Sequence, residues 1–175
     1  MFYPSRKACT RGFITALLCA LLFSLSACGS TATTDEILLA ALSSQKELPA
    51  GQIYHSTATP GESAYADETL LATLYGDGTL PIEFASVRAY SVYLCERYEP
   101  CELAVFLCAS RADAYAVGEM CLRRLDTVKR LCNGTEWAEQ SQNGTVSVVG
   151  KYVILALCPD PASAASAARA RIRKS

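Results

Sequence analysis

The stretch Phe84–Ser110, "FASVRAYSVYLCERYEPCELAVFLCAS", decides how this chain is to be folded. Its first part is rich in β-branched and aromatic residues, and Val87, Ala89, Ser91 and Tyr93 alternate with Arg88, Tyr90, Val92 and Leu94. That period of two is the pattern of a strand. "ELAVFLCA", Glu102–Ala109, is a continuous apolar run of strand length. Between them "ERYEP", Glu96–Pro100, has the proline and polar residues of a turn. The two runs predict an antiparallel hairpin. Cys95 and Cys101 flank its turn, and as a pair facing each other across it they are the candidate disulfide.

Reading toward the C-terminus, Ser110-x-x-Asp113 opens a helix over 111–132. Ala114, Val117, Gly118, Cys121, Leu125, Val128 and Cys132 recur on one face of it, and Arg123, Asp126 and Arg130 on the other. Glu119/Arg123 and Asp126/Arg130 are i,i+4 pairs in the favourable order. Asn133-Gly134 ends the helix. Asn143-Gly144 is a turn, and Tyr152–Leu157 is the strongest strand, with Val146–Val149 as a short partner beyond Gly150. Pro159-Asp160-Pro161 breaks that strand, and the alanine-rich "ASAASAARARIRK" forms a C-terminal helix.

Toward the N-terminus, "ADETLLATLYG" is a short helix capped by Asp67 and stopped by Gly76-Asp77-Gly78. Residues 49–64 read as a loop with one extended piece at 52–56. Thr33-x-x-Glu36 is a capping box opening a helix over 34–47, whose stripe of Ile37, Leu38, Ala41 and Leu42 packs on the domain rather than lying on a membrane. The expected fold is α+β: a small mixed or antiparallel sheet of three to four strands with helices packed on one face. The organisation is a targeting segment over 1–27, a tether over 28–34, an N-terminal helix and loop over 35–64, and the α+β domain over 65–175.

The chain begins with Arg6, Lys7 and Arg11 and has no acid before Asp35. "FITALLCALLFSL", Phe13–Leu25, follows. It is short of the roughly 20 apolar residues a spanning helix needs and has the length of a signal-peptide core. Leu25-Ser26-Ala27-Cys28 then resembles the bacterial lipobox. That resemblance implies a diacylglyceryl group on the Cys28 thiol, cleavage before Cys28, and palmitate-type acyl chains that tie the protein to the extracytoplasmic face of the cell membrane. Two chains hold stably where one does not.

Loss of residues 1–27 removes three bases and no acid, leaving 13 Lys/Arg against 17 Asp/Glu, a net charge of −4. A nucleic-acid partner needs a basic footprint, so none is expected. The only histidine, His55, lies in a polar loop, there is no G-x-S-x-G, and no catalytic residue is assigned. Cys95, Cys101, Cys108, Cys121, Cys132 and Cys158 contain no C-x-x-C, which leaves no metal site and no thioredoxin-like dithiol. Outside the cytoplasm they are open to pairing, while Cys108, Cys121, Cys132 and Cys158 equally suit small buried apolar positions. Glu96, Glu99 and Glu102 cluster at the hairpin turn and read as solvated carboxylates. Arg123, Arg124, Lys129 and Arg130, with Arg169, Arg171, Arg173 and Lys174, supply basic groups near two helix ends, suited to the helix dipole or to anionic headgroups and wall polymers.

Four segments in order, "LLATLYG" (70–76), "YSVYLC" (90–95), "ELAVF" (102–106) and "GKYVIL" (150–155), resemble lipoproteins of Gram-positive anaerobes that carry domain-of-unknown-function family 4358. The likeness covers about 66–160 and departs from the family in its cysteines. It implies an anchored extracytoplasmic domain and supplies no activity, cofactor or catalytic residue. The resulting expectation is a non-catalytic lipoprotein that binds or scaffolds an envelope protein or polymer. The alternatives are a small-ligand-binding accessory lipoprotein and, behind that, a thiol-based envelope enzyme.

Overall fold

The hairpin from the central stretch forms the middle of a larger sheet. Strands β1 (Gly51–His55), β2 (Val87–Cys95), β3 (Glu102–Cys108), β4 (Thr145–Val149) and β5 (Tyr152–Leu157) pair antiparallel throughout, in the order β1-β2-β3-β5-β4. The computed structural model describes residues 31–96 and 99–175, and 32–174 form one unit. Residues 1–27, expected as a targeting segment, and Cys28 lie outside the described residues.

The sheet has five strands, not the three to four expected. The extra strand is β1, the extended piece read within the loop. It has no strong alternation of its own and joins as an edge, from Gly51 opposite Cys95 to His55 opposite Ser91. A half-buried edge strand is held by ladder hydrogen bonds more than by a core-facing stripe, so its composition advertises it poorly.

The helices are α1 (Thr34–Ser43), α2 (Glu68–Tyr75), α3 (Arg111–Cys132), α4 (Ala138–Gln142) and α5 (Pro161–Arg173). They cover both faces of the sheet, which corrects the one-face expectation. On the first face α2 and α3 pack Leu71, Tyr75, Val117, Met120, Cys121 and Leu125 against Val92, Phe106, Val153 and Leu155. On the second, α1 and α5 pack Ile37, Leu38, Ala41, Ala164 and Ala168 against Tyr93, Leu103, Val105 and Ile154. Strands buried on both sides have no polar face, which is why β3 and β5 are continuous apolar runs. The alanines of α5 let that helix lie close to the sheet.

Local signals set the helix ends. Thr33 and Glu36 form the capping box (3.2 and 3.0 Å). Asp67, Ser110 and Asp160 accept from backbone N–H groups at the starts of α2, α3 and α5. The 3₁₀ turn Ile82–Ser86 occupies the first residues of the stretch expected as strand, so β2 starts at Val87. α1 and α5 run antiparallel, joined by Glu36–Arg171 (2.8 Å) near one end and by two hydrogen bonds between Gln45 and the Asp160 backbone at the other. The chain is fastened to the domain from Ala32, which is buried and whose carbonyl accepts from the Tyr152 hydroxyl (2.6 Å).

Candidate functional site

Glu102, the first residue of β3, directs its side chain into the first face at the end of the sheet opposite Ala32. Its side chain is 2% exposed. Oε2 accepts from Arg124 Nε of α3 at 2.9 Å, and Oε1 accepts from the hydroxyl of Tyr75, the last residue of α2, at 2.8 Å. The expectation of a solvated turn carboxylate is corrected here. β3 begins one residue beyond Cys101, so the face alternation of the strand carries Glu102 under α2 and α3. Burial needs a partner for the charge, and Arg124 provides it.

The surroundings act on each group differently. Burial, and next the Glu102 charge, push the Tyr75 hydroxyl well above the ordinary tyrosine range. Burial works against the Arg124 charge, but Glu102, through its field and its hydrogen bond, more than offsets this and the guanidinium is held more firmly protonated. The Tyr75 ring meets Phe106 edge-on at 5.3 Å and lies 6.2 Å from Phe84, which fixes its hydroxyl on the carboxylate.

Above this ion pair opens a cleft of about 700 Å³. Its walls are Leu74, Leu94, Val128, Leu131, Leu157 and Trp137, with Cys95, Glu99, Pro100, Cys101, Cys132 and Glu136 also lining it. Gln140 Nε2 donates to the Pro100 carbonyl at 3.1 Å and ties α4 to the hairpin turn, closing one side. Leu131 is 70% exposed, an apolar side chain left at the rim. Arg124 also lines a second cleft of about 280 Å³ with Thr73, Asp77, Thr79 and Thr127. With Nε committed to Glu102, its terminal nitrogens have no protein partner among the described residues. The arrangement is a largely apolar groove with the Glu102–Arg124 ion pair at its base and Glu99 and Glu136 at its margin.

The sequence-expected sites lie elsewhere or at the margin. Cys95 and Cys101 do oppose each other across the hairpin: the Cys95 N–H donates to the Cys101 carbonyl at 3.1 Å. The Cys95 thiol donates to the Glu99 carbonyl at 2.7 Å. Cys101 is buried, and its thiol is pushed up to about 12, by burial first and neighbouring thiols next. Cys108 and Cys121 are buried on the first face, where burial raises both thiols. His55 ends β1 with Nδ1 2.7 Å from Thr57 Oγ1. It stands opposite Ser91, whose hydroxyl donates to Asp35 Oδ1 at 2.5 Å, so the histidine and serine are not hydrogen-bonded to each other. The basic groups divide: Arg123 reaches Glu83 (2.8 Å) rather than Glu119, and Arg124 and Arg171 are paired as described.

Sequence reasoning missed the role of Glu102 and Arg124 and also missed α4 with Trp137. A signal for the first existed: a charged residue heading an otherwise unbroken apolar strand, and an arginine next to the apolar stripe of a helix. No family model, curated protein or solved structure matches this chain. The cleft's own chemistry is therefore what carries a functional reading.

Proposed function

We propose that this chain is a lipid-anchored extracytoplasmic binding protein without catalytic function, held to the membrane through diacylglyceryl-Cys28. The observation that carries the binding half is the apolar cleft with the Glu102–Arg124 ion pair at its base, which suits a small molecule with an apolar body and a polar, hydrogen-bonding head. This favours the small-ligand reading over a protein or polymer scaffold. The anchoring half rests on the lipobox. The resemblance to the domain-of-unknown-function family 4358 lipoproteins stands beside it on residue patterns alone, two of which lie in β3 and β5.

Only Gly29, Ser30 and Thr31 separate Cys28 from Ala32, a reach of about 14 Å at full extension. Ala32 is tied to Tyr152 at the start of β5, and the cleft is lined by Leu157 at its end, about 17 Å along the strand. The cleft therefore lies at the other end of β5 from Ala32. Arg171 (paired with Glu36), Arg173 and Lys174 close α5 near the Ala32 end, and Arg173 and Lys174 suit anionic headgroups.

Two measurements test the reading. Mass spectrometry of the mature N-terminus is expected to find acylated Cys28, and a chain starting elsewhere without acyl groups overturns the anchor. Trp137 is the single tryptophan and lines the cleft, so its fluorescence reports occupancy. Titration with decanol and with decanoate is expected to give a saturable change with at least one of them. No saturable change with either overturns the cleft as the binding site.

A further inference from the structure

At the cleft end of the sheet three cysteines stand in one row on the second face, the face covered by α1 and α5. The β2–β3 register places Leu94 opposite Glu102, so one step on Cys95 opposes Cys101. The β3–β5 ladder ends with Glu102 opposite Leu157, and continuing its register one step past that last pair sets Cys101 against Cys158. Opposed residues of neighbouring strands share a face, and Cys101 and Cys158 both belong to the second core with Cys95 at its edge. Cys101 and Cys158 are 5% and 1% exposed, both with thiols raised to about 12, chiefly by burial.

The two pairings open to Cys101 differ. The Cys108 N–H donates to the Lys151 carbonyl, which makes 108/151, and every second pair from it, hydrogen-bonded. Counting down β3, 102/157 is hydrogen-bonded and 101/158 is not. Toward β2 the sense is opposite, since the Cys95 N–H donates to the Cys101 carbonyl. Side chains approach more closely across a non-hydrogen-bonded pair, and a disulfide needs Cβ atoms about 3.5–4.5 Å apart. The Cys95 thiol is in addition turned onto the Glu99 carbonyl.

We propose that Cys101 and Cys158 are the oxidation site of this domain and form a cross-strand disulfide that locks β3 to β5. The step needs a disulfide as oxidant. One cysteine thiolate attacks it and expels a thiol, and the second cysteine then attacks the mixed disulfide. The S–S bond of the oxidant is reduced to two thiols, the protein gains one S–S bond, and the two cysteine protons end on those thiols. Buried thiols held protonated react slowly, so the bond forms while the chain folds and before α1 and α5 close over the row.

The test is refolding of the full chain from urea with oxidised glutathione, alkylation of remaining thiols, and tryptic digestion without reduction. Trypsin separates Ala89–Arg97 (Cys95), Tyr98–Arg111 (Cys101 and Cys108) and Tyr152–Arg169 (Cys158). The expected product is Tyr98–Arg111 linked to Tyr152–Arg169, retained in Cys95→Ala and Cys108→Ala and lost in Cys101→Ala. A predominant link between Ala89–Arg97 and Tyr98–Arg111, or alkylation of all three thiols in the wild type, overturns the proposal. Neither result depends on lipidation of Cys28 or occupancy of the cleft.

Discussion

Replacing Arg124 by Met removes the cation from Glu102 and leaves the rest of α3 in place. The Glu102 side chain is 2% exposed, so water cannot take over from the guanidinium without the structure opening. Removing one partner of a buried pair costs about 3–5 kcal/mol. Arg124 itself is 20% exposed toward the clefts, so some water reaches the vacated space and the lower end, about 3 kcal/mol, applies here. For a domain of this size that corresponds to a fall in Tm on the order of 10 °C. Urea unfolding followed by circular dichroism measures it as a shift in midpoint at unchanged slope. A second variant, Arg124→Met with Glu102→Gln, removes the charge as well, and the introduced amide still offers an acceptor oxygen to Tyr75. It is expected to recover most of the loss, to within about 1 kcal/mol of the wild type, because what destabilises the single variant is an uncompensated buried charge. A cost below about 1 kcal/mol for Arg124→Met, the range of a surface pair, would refute the reasoning. So would a double variant no more stable than the single one.

Tyr75→Phe removes a hydroxyl that donates to a charged, buried acceptor, and a loss of about 1.5–3 kcal/mol in urea unfolding is expected, with the aromatic packing on Phe106 retained. Phe106→Ala empties the centre of the first core, where the ring is 0% exposed; about 3–5 kcal/mol should be lost in the same assay. Gly76→Ala is expected to destabilise although Gly76 has a negative φ, because a Cβ there would lie 2.0 Å from the Thr79 carbonyl oxygen; thermal melts against Gly78→Ala, where φ is +85° and space is open, separate a steric cause from a conformational one. In the reduced protein Cys101 and Cys158 hold their protons to about pH 12, whereas unfolded thiols ionise from about pH 9. The unfolded state therefore binds fewer protons between those values, and stability is expected to be level below pH 9 and to fall as pH rises toward 12. A urea midpoint unchanged over that window in the reduced chain, beyond the change seen in a Cys101→Ala, Cys158→Ala background, contradicts the burial of the two thiols.

The caps of three expected helices were written in a few adjacent residues, Thr33 with Glu36, Asp67, and Ser110 with Asp113, whereas Asp160 was read only as part of a strand break and proved to cap α5. The face of α3 that packs inward was likewise visible in the spacing from Ala114 to Val128, and the β2–β3 hairpin in its alternation and turn. These features are set by interactions within about four residues, or across one short turn, so one reading of the chain suffices.

The number of strands, the covering of both faces and the site were decided at longer range. β1 becomes a strand because the open edge of β2 offers it ladder hydrogen bonds. The unbroken apolar runs of β3 and β5 suit strands covered on both faces, but that both faces are covered, and by which helices, follows from the path of the chain. Glu102 reads locally as one of three turn carboxylates. It is a buried anion only because α2 brings Tyr75 and α3 brings Arg124 from 27 and 22 residues away. The row of Cys95, Cys101 and Cys158 exists only in the register of three strands. What the sequence determined by itself was local conformation and, through Leu25–Cys28, an expected point of attachment. What only the tertiary structure decided was which side chains leave water together, because burial and register are properties of the assembled sheet and not of any segment within it.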